Sequence, residues 1–277
     1  MNALESFAGR WFVVKIGGEL ALDVKKLSRT VGRAVHEFLE AGIKVAVVHG
    51  GGPQATELSK KLGLVTRQVA GQRVTDEATL EVMKQVLGGV GVNVAQAMRL
   101  AQVQAISTSG VSASLVEATR RPLVRIGNED VDYGLVGDVT NVNVTLLEAL
   151  AKAGVVPVLG CLAGDAHGNV FNVNADTVAT RLAGRLNAAR LFLVSNVPGV
   201  LANKDDPSTR IPKLTPAEAT AQIQKGAIVG GMIPKVEESL AMLDEGIGAI
   251  HIVGLEPETA ILDEAREPGS RGTVFVK

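Results

Sequence analysis

The stretch Ile43-Lys44-Val45-Ala46-Val47-Val48-His49-Gly50-Gly51-Gly52-Pro53-Gln54 decides the fold. Ile43 to Val48 is a short, almost unbroken apolar run rich in β-branched residues. Such a run reads as a strand buried on both faces, as in a parallel sheet. Three consecutive glycines follow, and their entropy cost is more than an ordinary turn requires. Set between a strand and a helix start, they suit a cradle for phosphate or carboxylate, because free N–H groups and the helix dipole favour an anion there. The stretch is neither a Walker A loop, lacking Gly-Lys-Ser/Thr at that spacing, nor a dinucleotide G-x-G-x-x-G pattern. His49 alone could equally be a buried, hydrogen-bonded histidine.

Outward from this stretch the same pattern recurs. Trp11-Phe12-Val13-Val14, Val155 to Leu159, Leu191 to Val194 and Ala249 to Val253 are further short apolar runs. Between them, Leu27-Val31-Ala34-Val35-Phe38-Leu39 and Val178-Leu182 carry helical spacing. Alternating strands and helices imply an α/β fold, a three-layer αβα sandwich around a mainly parallel open sheet. Ala113 to Val139 differs, with Arg120-Arg121-Pro122, alternating Leu123 to Ile126, and Gly127-Asn128, which predicts antiparallel hairpins. Asn203 to Arg210 is the most linker-like segment. A single domain over 1–277 is expected, with an N-lobe of about 1–185 and a C-lobe of about 186–277.

Composition excludes several classes of function. The 277 residues carry 28 basic and 29 acidic side chains, net −1, with no polybasic run to meet nucleic acid or a membrane surface. Aromatic residues make up 3%, too few for a base-stacking surface. Cys161 is the single cysteine and can form no internal disulfide, which fits a reducing compartment. Neither a secretory leader nor an apolar stretch of about 20 residues is apparent. These features together predict a cytoplasmic globular protein.

Four further pieces have chemical character. Lys15-Ile16-Gly17-Gly18 puts a lysine at a strand's carboxyl end, where parallel sheets bind ligands, and two glycines let N–H groups approach an anion. Its bland alternative is a strand-end lysine before a turn. Asn172, Asn174 and Asp176 alternate and would share one face of an extended segment. Asp176 also begins a helical pattern and could simply cap it. Gly230-Gly231-Met232-Ile233-Pro234-Lys235 can present Lys235 to an anion at a helix start, or to solvent. Arg73, before a helix begun by Thr75 or Asp76, is suited to bidentate carboxylate recognition. Each signal alone is modest. Their order, two glycine cradles, a polar edge with an aspartate and a second lysine, is what phosphoryl transfer needs.

With these pieces in place, the chain resembles the amino acid kinase family. The resemblance rests on Val14 to Gly18, His49 to Gln54, Gly71-Gln72-Arg73-Val74-Thr75-Asp76, Asn172 to Asp176, Val197-Pro198-Gly199-Val200-Leu201 and Gly231 to Lys235, in family order from about residue 12 to Lys277. It implies a roughly eight-stranded sheet, an N-lobe holding an acylamino acid and a C-lobe holding ATP, with Mg²⁺ carried by the nucleotide. The motif set implies phosphorylation of the side-chain carboxylate of N-acetylglutamate to an acyl phosphate, in arginine biosynthesis. N-succinylglutamate, a carrier-linked aminoadipate or glutamate, and a non-catalytic sensor are the alternatives. Carried over by position, Lys15, Asp176 and Lys235 are catalytic, and Gly51, Gly52, Arg73, Asn172 and Asn174 bind substrate. Gly17, Gly18, Gly50, Ser195, Asn196 and Gly199 hold phosphate or ATP, and no protein metal site is implied. The partners implied are substrate, ATP and a second copy in a homodimer insensitive to arginine. The chain departs from the family pattern at Gly88-Gly89-Val90-Gly91-Val92-Asn93, which lacks an expected lysine, at Ser109-Gly110-Val111-Ser112-Ala113, and at Asn196, where aspartate is common.

Overall fold

A computed structural model describes residues 3–203, 206, 207–226, 228 and 232–277, without the side chains of 232, 234, 235 and 238. Eight strands form the main sheet: β1 (Trp11–Ile16), β2 (Lys44–His49), β3 (Ala105–Ser109), β4 (Val156–Gly160), β5 (Arg190–Val194), β6 (Lys213–Leu214), β7 (Ile250–Val253) and β8 (Thr273–Phe275). They lie in the order β6-β8-β7-β5-β1-β2-β4-β3. Every pairing is parallel except β7 with β8. The five apolar runs of the sequence are β1, β2, β4, β5 and β7, within a residue or two at each end.

Successive strand residues point to opposite faces. In β2 every residue after Lys44 is buried, and all of β4 is buried, so both faces of the sheet must be covered. Helices supply the cover: α1 (Arg33–Glu40), α2 (Gly52–Lys61), α3 (Glu77–Leu100), α4 (Ala175–Arg185), α5 (Met232–Leu243) and α6 (Ala260–Arg266). α3 packs on β3 and β4, α4 on β1 and β5, and α6 on β7. Phe12, Phe38 and Phe192 meet at the centre with ring centroids 5.1–5.8 Å apart. Aromatic groups at such spacing add to their area burial. Among the described residues no helix is long and apolar enough to cross a membrane.

The expected antiparallel excursion is present. Val116–Arg120 pairs with Gly137–Val142, and Val124–Ile126 with Glu129–Val131. Leu162–Gly164 and Val170–Asn172 complete a four-stranded sheet with the first pair. A separate hairpin joins Gln68–Val69 to Gln72–Arg73. Three strands have no counterpart among the apolar runs: β3, which is mostly polar, and the short β6 and β8.

Candidate active site

Parallel strands end together, and that is what assembles the crevice. Ile16 is in register with His49 and with Val194, and His49 with Gly160. Gly17, Gly50, Ser195 and Cys161 therefore leave the sheet side by side at its carboxyl edge, where such sheets bind ligands. Gly18 and Gly51 come so close that a Cβ on Gly18 would stand 2.8 Å from the Gly51 Cα. A Cβ on Gly51 would stand 2.9 Å from Val86 Cγ1 of α3. Real side chains do not fit at such distances, so both positions require glycine. The Gln54 side chain ties the two loops, its Nε2 donating to the Gly18 carbonyl at 2.6 Å.

Beside this floor, Lys15 Nζ meets Asp176 Oδ1 at 2.9 Å. Both side chains are partly shielded, Lys15 at 17% exposure and Asp176 at 35%. Sequence reasoning left open whether Asp176 caps α4. The cap is Asn174, whose Oδ1 accepts from the Asp176 N–H at 2.7 Å. Asp176 lies inside the helix, so Asn172, Asn174 and Asp176 do not share an extended face. The strand ends at Asn172 and the helix begins at Ala175. The cap leaves the Asp176 carboxylate free to hold Lys15.

Two crevices flank the glycine floor, and the Lys15–Asp176 pair lines the first of them. Lys15, Gly17, Glu19, Asp176 and Ser195 line the first, with Leu193, Ile252, Ser239 and Met242. Gly50, Gly51, Gly52, Gln72, Arg73, Asn172 and Asn174 line the second, with Met83, Val136, Cys161 and Val173. Arg73 donates from Nη2 to the Gly52 carbonyl at 3.1 Å and to Thr56 Oγ1 at 2.7 Å. Its Nη1 is buried and has no partner among the described residues. Burial lowers the pKa of this guanidinium, which nonetheless stays charged, so a cation with one unspent donor stands in the wall of the second crevice. Asn172 Nδ2 donates to Thr75 Oγ1 at 3.1 Å, joining the strand edge to the segment that carries Arg73. Asp76, the reading's second option, is the residue that caps α3, accepting from the Thr79 N–H at 2.8 Å.

The remaining sequence candidates fall less centrally. Asn196 stands at the rim, Nδ2 3.5 Å from Glu19 Oε1. Gly199 lines neither crevice. With φ +154° its backbone suits glycine, and a Cβ there would stand 2.6 Å from Thr273 Oγ1, a packing reason for the residue. Gly230 and Gly231 lie outside the described residues. Lys235 sits in α5, and its side chain is likewise outside what is described. Glu19, Gln72 and Cys161 escaped the sequence reading as site residues. Glu19 and Cys161 could have been found only by knowing that they follow strand ends. The Cys161 thiol, buried in apolar surroundings, is pushed up to about 12 and is not a nucleophile at neutral pH. Among the described residues no group of three or more His, Cys, Asp or Glu is placed to hold a metal ion.

Comparison with known proteins places this geometry. A model of the amino acid kinase family matches residues 10–254. Similar chains include a protein named acetylglutamate kinase from Sorangium cellulosum, 48% identical over 95% of this chain and 94% of that one. Another of the same name, from an Anaeromyxobacter species, is 46% identical over 95% and 98%. Among solved structures, N-acetylglutamate synthase from Neisseria gonorrhoeae superposes with a TM-score of 0.83 at 21% identity, over 99% of this chain. This chain spans 61% of that synthase's length. Carbamate kinase from Giardia lamblia superposes with a TM-score of 0.67 at 17% identity over 98% and 99%. At such identities these two show the fold alone.

Proposed function

The chain belongs to the amino acid kinase family, and from that premise we propose that its two crevices bring ATP and N-acetylglutamate together across Lys15. It is a kinase that phosphorylates the side-chain carboxylate of N-acetylglutamate, a step of arginine biosynthesis. The observation that carries the substrate side is Arg73. Among the described residues it is the one cation lining the second crevice, and its buried Nη1 has no acceptor. A buried donor left unpaired is costly, and a substrate α-carboxylate relieves that cost. Beside the polar Gln72, Asn172 and Asn174, the crevice has an apolar part, Met83, Val136, Cys161 and Val173, that suits an acetyl methyl group. Among the described residues it offers no second cation for the extra charge of a succinyl group.

The chemistry asks little covalent work of the protein. A carboxylate oxygen of the substrate, already ionised at neutral pH, attacks the γ-phosphorus; the bond to the β–γ bridging oxygen breaks, and ADP leaves. No general base is needed. Lys15 neutralises charge on the transferring group, and Asp176 holds Lys15 in place at 2.9 Å. Gly18 and Gly51 offer backbone N–H groups to the γ-phosphoryl oxygens, with Gly17 and Gly50 shaping the loops. Arg73 and Asn172 bind the substrate, with Gly52 and Asn174 at its edge. Lys235 adds a second cation from α5, and Ser195 and Asn196 border the nucleotide, whereas Gly199 packs against Thr273 outside both crevices. Mg²⁺, carried by the nucleotide, would supply further charge neutralisation.

The lobes divide near residue 185, where α4 ends, with acylamino acid on the first and ATP on the second. The protein works in the cytoplasm as a homodimer. Support for the dimer is β3, an edge strand with Ile106 46% exposed, packed against α3, which carries the exposed Val92 and Leu100. The deciding assay is ATP-dependent trapping of acyl phosphate with hydroxylamine, comparing N-acetylglutamate, N-succinylglutamate, glutamate and aspartate. Strong signal with N-acetylglutamate alone is expected. A larger signal with the succinyl compound overturns the substrate assignment, and silence with all four overturns the activity.

A further inference from the structure

His49 is the last residue of β2 and the only part of the glycine cradle with a side chain. That side chain is fully buried, at 0% exposure. The fold has cut a slot for it: a Cβ on Gly91 of α3 would stand 3.2 Å from Nε2, and a Cβ on Gly160 of β4 would stand 3.4 Å from Cε1 and Nε2. Nδ1 lies 3.1 Å from the carbonyl oxygen of Gly50. Nε2 has no partner among the described residues.

A carbonyl oxygen only accepts, so the nitrogen facing it must carry the hydrogen. Burial lowers the pKa of the ring and keeps it neutral at pH 7, and a neutral ring has one N–H. The geometry therefore selects the tautomer with hydrogen on Nδ1 and a bare Nε2, which explains how Nε2 tolerates having no donor to satisfy. In a trans peptide the C=O and the following N–H point in opposite directions. Fixing the Gly50 oxygen thus fixes the direction of the Gly51 N–H, for which no acceptor is found among the described residues. A Gly-Gly peptide has no side chains to resist rotation. If it turned over, it would aim a carbonyl oxygen, not an N–H, at an anion.

Resting on the functional reading above, we propose that His49 is a positioning residue: its Nδ1–H, donated to Gly50, holds the Gly50–Gly51 peptide so that the Gly51 N–H faces the transferring phosphoryl group. His49 touches neither substrate nor nucleotide. Its effect belongs to the transition state, where charge on the phosphoryl oxygens meets the N–H.

Two substitutions separate this role from mere space-filling. His49→Asn keeps an amide donor near the Nδ1 position, whereas His49→Leu keeps comparable bulk and has no donor. Expected for His49→Leu is a fall in kcat of about 10²-fold, the usual cost of one misdirected oxyanion donor, with KM for N-acetylglutamate within about 2-fold. His49→Asn recovers most of that loss. Equal loss in both variants, or near-normal kcat in His49→Leu, overturns the proposal. The tautomer is read independently in the wild-type protein by ¹H–¹⁵N correlation of labelled histidine at pH 7.5. Hydrogen on Nδ1 is expected; hydrogen on Nε2 overturns the proposal even if neither variant folds. A wild type silent toward N-acetylglutamate overturns the functional reading and this role with it. An active wild type with an active His49→Leu overturns the role alone.

Discussion

Asp176 meets two demands that a linear sequence cannot separate, since a helix start wants a cap and a strand-end lysine wants a counter-charge. In three dimensions Asn174 takes the first and Asp176 the second. Lys15, Gly17, Gly50 and Gly51 were legible as crevice residues because each stands at or just after an apolar run that ends at the sheet's edge. Glu19 was not, for nothing local marks a carboxylate that folds back over Gly17. The ion pair at Lys15 also makes a prediction of this scale. In the proposed role of Lys15, Lys15→Ala removes a charge that matters chiefly while the phosphoryl group is in flight, so kcat should fall by about 10²–10³-fold. The pair is partly solvated, so its loss should leave the urea midpoint nearly unchanged. Turnover by hydroxylamine trapping and a urea curve on the same preparation check both halves. A collapsed midpoint would make Lys15 a structural residue.

At the scale of elements, the hairpin Gln68–Val69 to Gln72–Arg73 is too short to hold itself, with two residues in each strand. Its loop, Ala70 and Gly71, has φ of +47° and +76°, the sense of twist that two-residue hairpins use. Alanine is a poor residue there, which is why the sequence carried no hairpin signal at this point. β3 went unread for a similar reason, its Ser-Thr-Ser being unlike a buried strand. What steadies the hairpin comes from elsewhere. Tyr133 Oη donates to the Val69 carbonyl at 3.2 Å. Arg121 donates from Nη1 to Gln72 Oε1 and from Nε to Asp138 at 2.8 Å. Because the hairpin carries Arg73, loosening it should cost substrate binding first. Arg121→Met is expected to raise KM for N-acetylglutamate about 10-fold, roughly the worth of one charge-assisted bond, with KM for ATP unchanged. Steady-state kinetics with each substrate varied in turn tests this. A matching rise for ATP would mean that Arg121 supports the whole crevice and not the hairpin alone.

For the whole molecule, the parallel sheet that brings the site together also buries two histidines, His49 on β2 and His251 on β7, both at 0% exposure. The order of strands was not legible, since pairing joins segments as distant as β1 and β5, and only their number and type followed from the apolar runs. The cost of that burial should show in the pH dependence of stability. Burial holds both rings below the ordinary histidine value, and for His251 this outweighs the hydrogen bond that its Nδ1 donates to Glu264 Oε1 at 2.8 Å. The unfolded chain therefore takes up protons near pH 6.5 that the folded chain refuses. Stability is complete above that pH and declines as pH falls toward the lowered folded values. The slope is at most about 1.4 kcal/mol per pH unit for each ring. The Glu264 carboxyl, desolvated yet held below its ordinary pKa by His251 and the Gly269 and Gly272 N–H groups, stays charged here; its own contribution is lost only on further acidification. Urea midpoints at pH 7.5, 6.5 and 5.5 should be level over the first interval and fall over the second. His49→Asn, which removes one of the two groups, should cut that fall by about half. A midpoint that rises or stays level down to pH 5.5 would show that the folded protein accepts those protons, and would place water or a counter-charge beside the rings.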